Sequence, residues 1–175
     1  MAMVGVFWIA ESDVYVGAKP SGQAPGIRLT PEGVLALGEG QSRLYLWEDV
    51  QALTMVDVPV KSLKRQIGAV TELALDTVVN LAMPGGPGPA GGIPAMMTVR
   101  VETRDGEHEL TCYAAAAVGY SPAEADLSRT LLSRFTDGAA TMATTLAAMS
   151  EWGRAWEGGS PRGAQREELL RRWVG

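Results

Sequence analysis

The chain has 175 residues and a formal net charge of −5. A chain of this length can bury roughly 70% of its unfolded surface, and 46% hydrophobic residues separate it from disordered sequences. Its single cysteine, Cys112, excludes an internal disulfide and a cysteine-based zinc site, and its single histidine, His108, removes the usual metal and acid/base combinations.

The acidic balance argues against two kinds of partner. Nucleic-acid binding needs a cationic footprint that releases counterions, whereas the best local cluster, Lys61, Lys64 and Arg65, is small and fits a solvated helix face. The N-terminus has no cationic leader region, and no run approaches the ~20 apolar residues of a membrane helix. We therefore expect a soluble cytoplasmic protein that contacts neither nucleic acid nor the membrane interior.

Residues 1–60 predict short antiparallel strands, because β-branched and aromatic runs alternate there with turn residues. These runs are residues 4–10, 14–17, 27–30, 34–37, 43–47 and 50–60. Between the third and fourth runs, Pro31 presets φ for a tight turn and Gly33 relieves its exit, which is typical of a hairpin.

The hydrophobic period changes in the middle of the chain. Apolar residues recur every three or four positions from Leu63 to Leu81, which predicts a helix over 63–82, although the β-branched residues 77–79 leave a strand open for its end. Residues 83–94 hold five glycines and four prolines, a composition that predicts a mobile loop.

Residues 97–113 form the clearest predicted hairpin. Asp105 and Gly106 suit a two-residue turn with positive φ, and that turn would place Glu102 opposite Glu109, with arginines on the diagonals. One face of the hairpin is then core and the other is solvent. The predicted core face holds Val99, Val101, Leu110 and Cys112.

A helix is predicted to start at Pro122. Ser121 and Glu124 form a capping-box pattern around it, and proline is favoured at the first helical position. Apolar residues continue at helical spacing to Trp156, but the Asp-Gly pair at 137–138 interrupts them. Either one kinked helix or two consecutive helices fit this pattern.

The C-terminal residues carry a high share of large apolar side chains. A last short helix is predicted at 165–174, with Arg166 among the charged residues on its solvent side. Tryptophan is enriched at interaction hot spots, so this tail either folds back on its own domain or meets another chain. The candidate partner-binding residues are Trp156, Leu169, Leu170 and Trp173.

About seven antiparallel strands followed by one capped helix resemble bacterial members of the pleckstrin-homology-like (PH-like) superfold. The local similarity lies in residues 26–35, in residues 47–50, in the hairpin at residues 105–106 and in the helix from Pro122. It implies an α+β, mainly β fold, a partly open antiparallel barrel closed at one end by the helix. We therefore expect a barrel domain over 1–136 with an insertion near 61–95, and a C-terminal helical extension over 137–175.

The resemblance also bears on ligands. In lipid-binding members of the superfold a basic first hairpin loop clamps inositol phosphates, whereas the corresponding loop here, residues 10–13, carries Glu11 and Asp13. Two acids would repel that ligand. The resemblance therefore argues against phosphoinositide binding and leaves the protein-binding use of the fold.

No catalytic constellation is visible in the sequence. His108 and Cys112 lie on one predicted strand, but four residues along a strand span about 13 Å, and a thiol must be in hydrogen-bond contact with its base. We expect Cys112 in the core and His108 at the rim beside Thr103. The sequence thus predicts no enzymatic activity, no cofactor and no metal, although an enzyme that uses isolated Ser, Asp or Glu residues stays open.

Two non-enzymatic functions fit these observations. The first is a protein-interaction or scaffolding module that binds a protein partner or itself, as a monomer or a homodimer. The alternative is a carrier of a small apolar ligand or lipid, in which the sheet and the 63–82 helix enclose a pocket gated by the 83–94 loop, because long mobile loops are usually functional.

Overall fold

The computed structural model describes residues 1–61 and 94–175. The helix predicted for 63–82, and all but the last residue of the loop predicted for 83–94, lie outside these residues. Both assignments therefore stay predictions.

The described residues form an α+β fold, mainly β, with two antiparallel sheets and three helices, which confirms the predicted fold class at this level. In the six-stranded sheet each strand pairs with the next along the chain: β1 (Ala2–Val4), β2 (Phe7–Ala10), β3 (Asp13–Val16), β4 (Gly26–Leu29), β5 (Gly33–Leu37) and β6 (Arg43–Leu46). The three-stranded sheet has the order β7 (Val50–Val56), β8 (Met96–Thr103) and β9 (Gly106–Tyr113). Among these nine strands, hydrogen bonding closes neither sheet into a barrel.

The run predicted as one strand over residues 4–10 is divided into β1 and β2. Gly5 takes φ 59 and turns the chain between them. A Cβ at this position would collide with Ser128 Oγ and with a methyl group of Leu170, so the site requires glycine. The prediction of a continuous strand was wrong, because Gly5 adopts a positive φ that ends β1 and turns the chain into β2.

The β8–β9 hairpin has a different register from the predicted one. Glu102 pairs with Glu107, and Arg100 pairs with Glu109, because Gly106 (φ 133) is the first residue of β9 and the turn lies one residue earlier. The predicted pairing of Glu102 with Glu109 was therefore wrong. The observed register differs from the predicted one by two residues, so each side chain stays on the face of the sheet where it was predicted. The predicted core residues are therefore all buried: Val99, Val101, Leu110 and Cys112.

Three helices follow the second sheet: α1 (Pro122–Arg134), α2 (Ala139–Ala155) and α3 (Gly163–Val174). The predicted start of α1 is confirmed, since Ser121 Oγ accepts a hydrogen bond from the backbone N–H of Glu124 at 3.1 Å. Gly138 takes φ 133 and lies between α1 and α2. The interruption at residues 137–138 therefore separates two helices.

The two sheets meet along β9. The backbone N–H of Ala18 donates to the carbonyl oxygen of Tyr113 at 2.7 Å. Gln41, in the turn before β6, uses its side-chain amide as a strand would: Nε2 donates to Thr111 O at 2.9 Å and Oε1 accepts from Thr111 N at 3.0 Å. These bonds join the edge of the three-stranded sheet to the six-stranded one.

A single buried cluster joins side chains from both sheets and all three helices. At one end of it, Trp47 stacks on Phe135 with ring centroids 5.6 Å apart and donates its Nε1 proton to Thr30 O at 2.7 Å. Trp47 therefore packs against the end of α1. The largest fully buried side chains are Tyr120, Phe7, Phe135, Met3, Ile9, Ile27, Met97, Leu110, Leu131, Leu132, Met149 and Leu170.

Candidate functional site

A buried ion pair joins α1 to α3. Arg166 Nε donates to Glu124 Oε1 at 2.5 Å, and Arg166 also donates through Nη1 to Pro161 O at 2.8 Å. The Arg166 and Glu124 side chains are only 8% and 3% exposed. The prediction that Arg166 lies on a solvent-facing side was wrong, because Glu124 supplies the opposite charge that a buried guanidinium requires.

Three of the four predicted partner-binding residues lie against the chain's own domain. Leu170 is completely buried and packs at Gly5, and Leu169 and Trp173 are 8% and 7% exposed. The fourth residue, Trp156, is 36% exposed. The four side chains therefore do not form one exposed patch, and their role in binding a partner stays a prediction.

A ladder of three tryptophans links α2 to α3. The Trp152 ring lies between its two neighbours, stacked on Trp156 at 5.2 Å between centroids and edge-on to Trp173 at 5.7 Å. Trp156 is fixed from outside the ladder as well, because its Nε1 donates to Gly159 O at 2.9 Å. The exposed Trp156 ring is thus held in one orientation at the surface.

An open groove of about 650 Å³ runs between α2 and α3. Its apolar floor contains Trp152, Leu169 and Trp173, and three charged residues also line it, Arg134, Glu151 and Arg172. The side of α2 that faces the groove carries small residues: Ala140, Thr141, Thr144, Thr145, Ala148 and Ala155.

The groove was not predicted from the sequence, although the sequence contains a signal for it. Residues 139–150 of α2 include no charged residue, while several of them face solvent. The exposed side of a water-facing helix is normally charged or strongly polar. A long uncharged stretch with exposed positions therefore indicates a face that suits burial.

The opposite side of α2 lies against the loop between β2 and β3. Ser150 Oγ donates to Ser12 O at 2.8 Å, and the backbone of Gly153 approaches the carbonyl oxygen of Glu11 so closely that a Cβ would collide with it. Asp13, at the end of the same loop, bonds Arg28 at 2.5 Å. The loop between β2 and β3 therefore supports α2.

The remaining chemistry-bearing residues occupy structural positions. Cys112 is fully buried, and burial raises the pKa of its thiol to about 12, so the thiol is neutral at physiological pH. His108 lies at the rim, with its ring 5.1 Å from that of Tyr45 and its Nε2 3.4 Å from Thr103 Oγ1. Within residues 1–61 and 94–175, no group of three or more His, Cys, Asp or Glu residues could hold a metal ion.

Comparisons of this chain with protein-family models, with curated proteins and with solved structures found no match. None of the helices in the described stretches has the length and apolarity needed to cross a bilayer. The carrier alternative needs a helix over 63–82 and a gating loop over 83–94 as well as the sheet, and these two segments lie almost wholly outside the described residues, so it stays a prediction.

Proposed function

We propose that this chain is a non-enzymatic protein-interaction module whose docking surface is the groove between α2 and α3. One observation carries the proposal: an aromatic floor and a small, uncharged helix face occur together in one open groove. Leu169 and Trp173 contribute to its floor, and the exposed Trp156 ring stacks on the floor residue Trp152. Leu170 anchors α3 to the sheet from below.

A PH-like scaffold is part of the same proposal. Antiparallel strands in chain order, followed by a capped helix that packs on the sheets through Trp47 and Phe135, support it. The scaffold departs from the family pattern in two ways, since the hydrogen bonding of the described strands closes no barrel and α2 supports the first loops.

The shape of the groove suits a helix or an extended peptide with apolar anchors. A helix of 17 residues such as α2 is about 25 Å long, and small residues along it let another backbone approach closely. Tryptophan side chains provide large contact area at low entropic cost, and they dominate the energetics of many interfaces. The charges at the groove, Arg134, Glu151 and Arg172, lie where they would orient an occupant.

The proposal is tested by blocking the groove. Thr144→Arg puts a long charged side chain on its uncharged wall, and Thr130→Arg makes the same change at an exposed threonine of α1 that does not line it. A protein that the wild-type chain captures is purified, and its affinity for the wild-type chain and for each variant is measured by calorimetry. We expect Thr144→Arg to weaken the reconstituted affinity by at least about tenfold and Thr130→Arg to leave it unchanged. Equal affinities for both variants would refute the groove as the docking surface.

A further inference from the structure

The outer edge of β6 is a second binding surface, distinct from the groove between α2 and α3. We propose that it binds an extended, acidic peptide segment of a partner protein, which adds to the six-stranded sheet as a further strand. β6 is the last strand of its sheet, and β5 is its only hydrogen-bonded neighbour among the described strands. None of the residues that line the groove lies on β6, so the two surfaces are separate.

The backbone of β6 leaves hydrogen-bonding groups pointing away from β5. Trp47 N–H donates to Glu32 O at 3.2 Å, so every second residue before Trp47 also bonds to β5, and the residues between them turn their backbone groups outward. Leu44 and Leu46 are these outward residues. The Leu46 carbonyl oxygen accepts from Asp49 N–H at 2.9 Å. Both backbone groups of Leu44 and the N–H of Leu46 therefore have no partner among the described residues.

The side chains of the same two residues are exposed. Leu44 and Leu46 are 42% and 39% exposed, and the half-buried Leu35 lies beside Leu44 on the same face of the sheet. Leu46 pairs with Gly33, which has no side chain to cover it. Soluble proteins usually protect an edge strand with charged residues or proline. Exposed leucines on this edge therefore indicate an added strand with apolar side chains two positions apart.

The space at the start of β6 already holds one amide group. An open cavity of about 490 Å³ is lined there by Gly40, Gln41, Ser42, Arg43 and Tyr45. The Gln41 amide, which has the donor and the acceptor of a peptide group, donates to Leu37 O at 2.9 Å and exchanges two hydrogen bonds with Thr111 of β9. A bound peptide would continue this amide along β6. β9 lies close by, since the His108 ring is 5.1 Å from that of Tyr45, so the space suits one extended segment rather than the sheet of a second folded molecule.

Arg43 determines the charge of the peptide. Its guanidinium lies 4.9 Å from the centroid of the Tyr45 ring, lines the cavity and makes no ion pair within residues 1–61 and 94–175. A carboxylate on the peptide can form a charge-assisted hydrogen bond with it. In an antiparallel added strand, the residue opposite Arg43 follows the residue opposite Leu44. The peptide therefore has two apolar residues separated by one position and followed by an acidic residue.

A designed peptide tests this specificity by fluorescence anisotropy. The probe is acetyl-Lys-Thr-Val-Thr-Val-Glu-Thr-amide with fluorescein on the lysine side chain, and a matched probe has lysine in place of glutamate. The full-length wild-type chain should bind the glutamate probe at least about tenfold more tightly than the lysine probe. Arg43→Glu, which changes an exposed side chain, should reverse this preference. Failure of the glutamate probe to bind the wild-type chain, or an unchanged preference in the folded variant, would overturn the proposal.

Hydrogen exchange measured by NMR tests whether the peptide lies on the edge itself. In the free chain the amides of Leu44 and Leu46 should exchange faster than those of Arg43 and Tyr45, which bond to β5. A saturating concentration of the glutamate probe should slow exchange at Leu44 and Leu46 by at least about tenfold, because the added strand accepts their protons. Unchanged exchange at both amides would overturn strand addition at β6.

Two further variants separate backbone from side-chain binding, and the edge from the groove. Leu44→Pro removes the outward N–H at an edge position that tolerates proline, whereas Leu44→Ala shortens the side chain and keeps the N–H. Leu44→Pro should weaken probe binding more than Leu44→Ala, and equal losses would count against main-chain pairing. Thr144→Arg should leave probe binding unchanged. If it abolished binding, the peptide would lie in the groove, and the β6 proposal would fail while the groove proposal stood.

Discussion

The two C-terminal helices differ in the side chains that fix them to the domain and in those they leave exposed. On α3 the inward side carries large apolar residues and one buried charge: Leu170 packs at the β1–β2 turn, and Arg166 is neutralised by Glu124. On α2 the inward side is anchored to the β2–β3 loop through Ser150 and Gly153, and small residues remain on the outside. Large aromatic residues near a chain end are thus not by themselves evidence of a binding partner. A run of small uncharged residues on an exposed helix face is an equally useful indication of a docking surface.

The largest expected effect removes the anchor of α3. Arg166→Ala leaves the Glu124 carboxylate buried without a partner, so the free energy of unfolding should fall by about 3–5 kcal/mol in a urea titration. The double variant Glu124→Leu with Arg166→Met replaces the pair by apolar side chains and should lose clearly less. If the single variant unfolds at the wild-type urea concentration, the ion pair does not hold α3.

The next effect concerns the anchor of α2. Gly153→Ala places a methyl group against the Glu11 carbonyl oxygen and should destabilise the protein by about 1–3 kcal/mol, even though alanine favours helix more than glycine. Gly163→Ala in α3 is the matched control, because a Cβ there meets only an ordinary contact at 3.8 Å. Thermal unfolding of both variants measures the difference, and a stabilised Gly153→Ala protein would show that α2 does not rest on the loop.

A smaller effect is expected where α1 begins. Ser121→Ala removes the acceptor for the Glu124 backbone N–H and should cost about 1 kcal/mol of stability by chemical denaturation. Ser121→Asn supplies another acceptor without a negative charge beside Glu167, whose carboxylate accepts from Ser121 Oγ at 3.5 Å, and should restore most of it. If both variants lost the same amount of stability, the Ser121 hydroxyl would not act as a helix cap.

The smallest effect on stability is expected on the open face of α2. Thr144→Arg changes an exposed position without a buried contact, so the free energy of unfolding should stay within about 0.5 kcal/mol of wild type. The same substitution should nevertheless have the largest effect on association. A large loss of stability would show that Thr144 stabilises the fold. The exposed face of α2 would then not differ in this respect from the buried face of α3.

Local patterns in the sequence were sufficient to predict many of the secondary-structure elements. Alternation of apolar residues predicted the core face of the β8–β9 hairpin, and turn residues predicted the β4–β5 hairpin. The Ser121 cap and Pro122 predicted the start of α1. Each of these features depends on residues within a few positions of one another, and this is why a single sequence contains them.

The features that the sequence did not reveal depend on distant residues. Ser128 and Leu170 occupy the space that a side chain at position 5 would need, and the burial of Arg166 depends on Glu124, 42 positions earlier. The groove likewise exists only when two helices lie side by side on the sheet. Of the candidate site, the tryptophans near the C-terminus were recognised, whereas the uncharged wall of α2 was overlooked because alanine and threonine carry no distinctive chemistry.

The amide of Gln41 has a consequence for the protein's behaviour at high concentration. Among the strands that the structure describes, β9 lies at an edge, and an uncovered edge offers its backbone groups to strands of other molecules, which can lead to fibrous aggregates. At Thr111, near the middle of that edge, both the N–H and the carbonyl oxygen are already bonded to Gln41. One side chain therefore interrupts the row of free groups that strand-by-strand growth would need.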